Sequence, residues 1–399
     1  MSDGFGTPAS PNPLNNVPAL RAPGQGGEVP PPAGDSADKE FALRRERMQR
    51  VIKGVTPFIS ILIAVLVSSV FIVATGGNPI AAFQALLYGA FGTPRAIGET
   101  LLRSTPLIFT GLALAYGFRS GVFNIGAEGQ LYMGGLAAAY FGITFGGLST
   151  FIAIPLIIIA AAAAGAAWAF IPALMKVRIG ANEVITTMMF TYIGKYVVSW
   201  LVTGPLADKG GIPQTAQLPA SSSMPRLSAI MPFLGTGRAH LGFVIAVLFA
   251  VVIWAVLKYT TLVDEARAVG YNPFASQAGG ISVGATIIKS LCISGALAGV
   301  AGAVEVMGVY GRIFDNFSNN FGFTGIAVAL LAKNNPLGVI AAAILFGALD
   351  AGAGTMQLEA GGSQKVINII QAVIIFTIAA ETIVTWSIEK FTERKAVRA

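Results

Sequence analysis

The stretch FIAIPLIIIAAAAAGAAWAFIPALM, residues 151–175, holds 25 residues and no charge. An α-helix rises about 1.5 Å per residue, so about 20 apolar residues cross a bilayer's hydrocarbon core. This run is long enough to cross, and it decides the fold: the chain belongs in a membrane. Composition agrees. Of 399 residues, 54% are hydrophobic and 11% charged, and mean hydropathy is +0.70, whereas soluble domains charge roughly a quarter of their residues.

Working outward, further apolar runs occupy 55–74, 101–118, 125–143, 184–202, 241–257, 291–310, 323–332, 337–353 and 366–381. The run at 323–332 is too short to cross alone. The expected fold is an all-α polytopic membrane protein with about ten transmembrane helices (roughly 8–10). Arg44, Arg45, Arg47, Arg50 and Lys53 precede the first run; Lys390, Arg394, Lys395 and Arg398 follow the last. Basic flanks stay on the cytoplasmic side, so both termini are expected there. Alternation then places Lys176, Arg178 and 258–289 inside and the loop 205–240 outside, although Lys209, Arg226 and Arg238 run against the rule. Two stretches, 78–92 and 311–323, read as interfacial on the outer side. The phrases TGLALAYGFRSG (110–121) and TGIAVALLAKNN (324–335) echo each other, as in the internal repeats common among transporters.

The first 50 residues differ. They are rich in Pro, Gly, Asn and Ser, too poor in apolar surface to offset ordering entropy, and read as a disordered cytoplasmic tail. The organisation expected is this tail at 1–50, a transmembrane domain at 51–388 and a basic cytoplasmic tail at 389–399. Cys292 and His240 are the sole cysteine and histidine, which excludes an intrachain disulfide and a Cys/His zinc site. No G-x-x-x-x-G-K-[ST], G-x-S-x-G or H-E-x-x-H motif occurs, so neither ATP hydrolysis nor other catalysis is expected of this chain. The net charge of +7 follows from basic clusters at the ends and in short loops, which argues against nucleic acid.

Between two runs lies VDEARAVGYNPFASQAGGI, residues 263–281. It reads as a short helix carrying Arg267, a turn at 270–273, and a second short helix ending at Gly279-Gly280. Left in solvent it would expose Ala266, Ala268, Val269, Phe274 and Ala275 without purpose. A small apolar helix with an arginine suits a groove on a partner protein.

FRSGVFNIGAEGQL (118–131), ANEVITTMMFTYI (181–193), RAVGYNPFASQAGGI (267–281) and GALAGVAGAVEVMGVYGR (295–312) together resemble the permease subunits of ABC importers. The resemblance covers 51–388. It is to the branch of the branched-chain amino acid/simple-sugar permease superfamily that handles nucleosides. It implies a type II-like importer permease fold in the bacterial cytoplasmic membrane, paired with a second homologous permease. It also implies a cytoplasmic ABC ATPase that consumes ATP-Mg, no cofactor on this chain, and an external substrate-binding lipoprotein that delivers cargo. That cargo would be nucleosides, especially purine. Pentoses or other simple sugars are the alternative, and an ATP-independent channel or secondary transporter is a different class. By the same resemblance 265–275 is the coupling helix, which assigns ATPase coupling to Glu265, Ala266, Arg267, Ala268, Val269, Gly270, Tyr271, Asn272 and Pro273.

Polar residues inside apolar helices usually face a cavity or a partner. Asn124 and Glu128, four apart, read as sharing one helix face. With Gln130, Phe190, Thr191, Lys195, Glu305 and Phe321 they are the candidates for a substrate path. Lys195 and Thr191 depart from the family pattern, where an uncharged residue and an Asn are usual; Glu305 matches it. Lys195 is expected to pair with an acid or to snorkel. Asn182 and Glu183 read as a helix N-terminus. Gly295, Gly299 and Gly302 have the small-residue spacing that lets helices approach. Gly126 and Gly129 would do the same for a neighbour, and Arg119 marks a cytoplasmic turn made by Ser120-Gly121.

Overall fold

The computed structural model describes residues 61–74, 76–208, 210–234, 237–360 and 365–379. The tails read at 1–50 and 389–399, and residues 55–60 and 380–381 of the first and last expected spans, lie outside the described residues. Thirteen α-helices follow in order among those described: α1 (Ile61–Ala74), α2 (Pro79–Phe91), α3 (Pro94–Arg119), α4 (Ala127–Thr144), α5 (Thr150–Ile179), α6 (Glu183–Thr203), α7 (Gly242–Tyr259), α8 (Thr261–Tyr271), α9 (Pro273–Ala278), α10 (Val283–Glu305), α11 (Phe321–Leu331), α12 (Pro336–Ala360) and α13 (Lys365–Ala379). A π-turn at Val306–Tyr310 extends α10. No strand forms among the described residues.

Five of these helices are long and apolar enough to cross a membrane: α3, α5, α7, α10 with its π-turn, and α12. The bent pair of α1 and α2 would make six. Helices α4 and α6 reach 18 and 21 residues with a more polar composition, and α11 and α13 are shorter.

Local chemistry sets the ends. Thr93 Oγ1 accepts from the Ala96 N–H at 3.1 Å and Pro94 opens α3, as an N-cap and first-turn proline should. The Asn182 side chain accepts from the Val184 N–H at 2.9 Å, and Glu183 in the first turn of α6 pairs with Lys176 at the end of α5. Those two residues thus form the helix start that their types suggested. Helix α5 stops at Gly180, whose φ of 67° is left-handed.

Helix α3 is the enclosed centre, with residues 104–117 buried. Helix α10 meets α4 and α5 nearly backbone to backbone. A Cβ on Gly299 would strike Ala161 and Gly165, one on Gly295 would strike Gly165 and Ala169, and one on Gly302 would strike Leu131 and Gly135. In an apolar medium, such close packing replaces the hydrophobic drive that associates helices in water.

Two stretches read as interfacial belong to the bundle. In α2, Ala82, Ala85, Leu86 and Ala90 are buried. Gly352 of α12 meets Leu86, and the Thr100 hydroxyl donates to the Ala90 carbonyl at 2.8 Å. The segment 311–323 is anchored in the bundle at Ile313, Phe317, Ser318 and Phe321, which are buried, while Asp315, Asn316, Asn319 and Asn320 are exposed. It descends along α4, with Phe317 against Gly135, Tyr132 bonded to Asn316, and Gly322 bonded to Glu128. The stretch 205–240, read as an outer loop, caps its start, through Thr215 N–H to the Ile313 carbonyl at 2.9 Å and Leu218 N–H to the Gly311 carbonyl at 2.7 Å.

The two echoing phrases pack together. The Thr110 hydroxyl donates to the Phe321 carbonyl at 3.0 Å, Gly325 faces Thr110, and Gly111 faces Val328. Helices α3 and α11 run in the same direction, since Arg119 at the end of α3 and Asn335 just past the end of α11 line one pocket.

Candidate functional site

After α3, Ser120 donates its N–H to the Tyr116 and Gly117 carbonyls, and Gly121 turns the chain with φ 67°. Asn124 then lies before α4, whose N-cap is Gly126. Asn124 and Glu128 therefore do not share a helix face, contrary to their spacing. Asn124 and Gln130 exchange two hydrogen bonds, Nδ2 to Oε1 at 2.8 Å and Nε2 to Oδ1 at 2.9 Å. Asn124 also donates to Ser294 Oγ at 2.8 Å, and Ser294 donates to the Ala113 carbonyl at 2.7 Å. This buried knot ties α3, α4 and α10 together.

Glu128 faces the other way. It is fully buried, and its Oε2 accepts from the Gly322 N–H at 2.7 Å. That N–H is in the first turn of α11, so the carboxylate stands at the positive end of a half-length helix inside the bundle. Its Oε1 has no hydrogen-bond partner among the described residues. One turn on, the Tyr132 hydroxyl donates to Asn316 Oδ1 at 3.0 Å, and its ring packs on Phe317 with centroids 4.9 Å apart. The Lys195 ammonium lies 5.6 Å from the centroid of the Tyr132 ring and within the field of Glu128. Lys195 thus meets an aromatic face and feels the nearby Glu128, an acid on neighbouring α4, without a direct ion pair to it. Helix α6 reaches α4 through Gly126 and Gly129, where a Cβ would strike Thr187 and Thr191.

Of the other expected path residues, Thr191 is buried and its hydroxyl returns to the Thr187 carbonyl at 3.3 Å. Phe190 packs its ring against Trp168. Phe321 begins α11 beside Thr110. Glu305 is buried at the end of α10, apart from the Glu128 group and in the field of Arg103. Tyr132, Asn316 and Arg103 were absent from the candidates. Arg103 forms an ion pair with Asp350 across α3 and α12; an arginine inside the apolar run 101–118 was the available signal.

At the Arg119 end, α8 and α9 project as a helical loop. Asn272 Oδ1 accepts from the Phe274 and Ala275 N–H groups at 3.0 and 3.1 Å, and Pro273 opens α9. Val263, Ala266 and Val269 face inward and are buried, which corrects the expectation that Ala266 and Val269 are exposed. Tyr271 and Phe274 are 90% and 84% exposed. The apolar display is therefore an aromatic pair at the tip.

Five or six helices long and apolar enough to cross a membrane, packed around buried polar groups, fit a multi-pass membrane protein. The chain belongs to the family described as branched-chain amino acid transport system / permease component, whose model matches residues 96–379. It is 38% identical over 353 residues to the guanosine ABC transporter permease protein NupP of Bacillus subtilis, covering 88% of this chain and 99% of that one. The nucleoside ABC transporter permease protein NupB of Lactococcus lactis is 34% identical, with 87% and 95% covered. The glucose ABC transporter permease protein TsgB13 of Haloferax volcanii is 32% identical, with 82% and 87% covered. No solved structure matches significantly.

Proposed function

We propose that this chain is the permease subunit of an ABC importer that carries nucleosides, purine nucleosides foremost, across a bacterial cytoplasmic membrane. The observation that carries the cargo is the pair of relatives named for guanosine and nucleosides, which align over nearly the whole length of both chains. The glucose permease relative supports the sugar reading less, at lower identity and coverage. In this reading about ten spans cross the membrane, both termini are cytoplasmic, and residues 1–50 and 389–399 are tails of the 51–388 domain.

Tyr271 and Phe274 dock into a cleft of a separate ATPase that consumes ATP-Mg, with Glu265 through Pro273 as the coupling element. Exposed aromatics on a rigid helix tip are the usual anchors of such a contact. Cargo arrives from an external binding protein and passes between this chain and a second, homologous permease. Lys195 and Phe190 offer the donor and the aromatic face that a flat base needs, with the buried Tyr132, bonded to Asn316, behind Lys195. Asn124 and Gln130 serve by fixing the start of α4.

The test is uptake by vesicles holding this chain with its second permease, ATPase and binding protein. Labelled guanosine should enter on ATP addition and resist competition by ribose or glucose, and vesicles with this chain alone should be inert. Uptake by the chain alone would make it a channel, and competition by sugars would transfer the cargo to the alternative.

A further inference from the structure

At the Arg119 end of the bundle a pocket of about 380 Å³ opens between α3, α7, α8 and the start of α12. Its wall brings together Arg119, Lys258 and Arg267, against the single carboxylate of Asp264. That carboxylate does little to offset them: it is 74% exposed and reaches only Arg267, at 3.7 Å. Arg119 is half-buried, has no ion-pair partner among the described residues, and feels Arg267 as a like charge. The Lys258 ammonium is held 5.0 Å from the Trp254 ring and 5.2 Å from that of Tyr259. Asn335 and Pro336, which begin α12, put the positive end of that helix on the same rim. Three cations against one exposed carboxylate leave the wall of this pocket net positive.

We propose that this pocket binds a phosphate-type anion: the headgroup phosphate of an acidic phospholipid, or free phosphate from solution. Guanidinium groups match phosphate oxygens in a planar fork, and the ammonium adds a point charge. The Trp254 ring beside Lys258 at the end of an apolar helix has the amphipathic character found where membranes meet water. A bound phosphate would bridge α3 and α7 to α8, and so stiffen the root of the projecting loop. The inference does not rest on the transport reading, because it concerns binding to this chain alone.

The experiment uses the purified full chain and the double variant Arg119→Gln/Lys258→Gln, with Arg267 intact. Retention of phosphatidylglycerol from mixed vesicles with phosphatidylcholine is measured by native mass spectrometry. Labelled inorganic phosphate is titrated separately in neutral detergent. Preferential retention of phosphatidylglycerol by the native chain, weakened at least about tenfold in the double variant, supports the site with a lipid as source. Binding of inorganic phosphate that the variant loses, without lipid preference, supports the same site with a soluble source. The charge-conserving variant Arg119→Lys/Lys258→Arg should bind more tightly than the double Gln variant, which separates lost charge from lost fold. Neither anion binding to the native chain, or equal binding by the double variant, overturns the proposal. The former result would leave Arg119 and Arg267 for an acidic partner protein.

Discussion

Gly121 and Gly270 meet backbone to backbone: a Cβ on Gly270 would come within 3.0 Å of the Gly121 Cα, and one on Gly121 would strike the Gly270 Cα. The turn after α3 is thus seated directly on the end of α8. Motion of the α8–α9 loop has no slack to take up before it reaches the central helix. Gly270→Val should therefore uncouple or distort the loop. ATP-driven uptake in the reconstituted assembly is expected to fall at least about tenfold while the chain still inserts. Gly280→Ala is the control. Its φ of 84° is left-handed, unlike that of Gly270, and its Cβ would meet nothing within 4 Å, so it carries backbone strain of about 1 kcal/mol and no clash.

Tyr271 and Phe274 are exposed in the isolated chain, so truncating them removes no internal packing. Tyr271→Ala and Phe274→Ala should leave the melting temperature within about 2 °C of the native value. Each should nonetheless reduce co-purification of the ATPase by the tenfold or more expected of an aromatic anchor. Full co-purification with both replaced would remove the docking role from this loop.

Much of this was legible from one-dimensional chemistry. Runs such as 151–175 and 337–353 are helices because nothing else satisfies the backbone of so long an apolar segment. The Asn272-Pro273 turn and the Asn182 cap follow from local hydrogen bonding. What was not legible is what depends on partners far along the chain. Composition cannot say whether a 13-residue apolar helix lies on a bundle or in it, and for α2 the answer sits in Gly352 of α12. The amides and aromatics of 311–323 suit an interface, but composition could not show that Tyr132 and Glu128 of α4 tie the segment to the bundle at Asn316 and at the Gly322 N–H. The spacing of Asn124 and Glu128 misled because Gly126, and not a residue before Asn124, caps the helix.

Glu128 supplies both an acceptor and a charge, and two substitutions separate them. Glu128→Gln keeps an oxygen for the Gly322 N–H, so stability should change by less than about 1 kcal/mol. Glu128→Ala leaves that N–H unpaired within the bundle and should cost about 1–3 kcal/mol, read as a lower melting temperature in detergent. If the charge also tunes Lys195 in the path, Glu128→Gln will depress uptake despite its intact fold. Unchanged uptake in Glu128→Gln would confine the residue to holding α11.

Arg103 and Asp350 form an ion pair between α3 and α12, each side chain about one-third exposed. Removing one partner strands the other charge, whereas removing both removes the problem. Arg103→Met and Asp350→Leu should each lower the melting temperature. The double variant should recover most of the loss, with a coupling of roughly 1–2 kcal/mol after allowance for partial exposure. Additive losses would mean that the two charges are stabilised by separate surroundings.

His240 gives the loop 205–240 a pH dependence with a definite sign. Its Nδ1 accepts from the Gly242 N–H at 3.2 Å, which places the proton of the neutral ring on Nε2, where it packs against Gly308 without a partner. Burial pushes the imidazole down to about 4, against about 6.5 when the loop is open. Above pH 6.5 both states are neutral and the closed loop keeps its full stability. Between 6.5 and 4 the open state binds a proton that the closed state refuses, so closure weakens by up to roughly 3 kcal/mol. Amide exchange of Leu227 and Leu241, which donate to the Ala239 and Pro225 carbonyls, should accelerate over that window once the intrinsic pH dependence of exchange is divided out. In His240→Asn, whose side-chain oxygen can still accept from Gly242, the acceleration should vanish; its persistence would move the titrating group elsewhere.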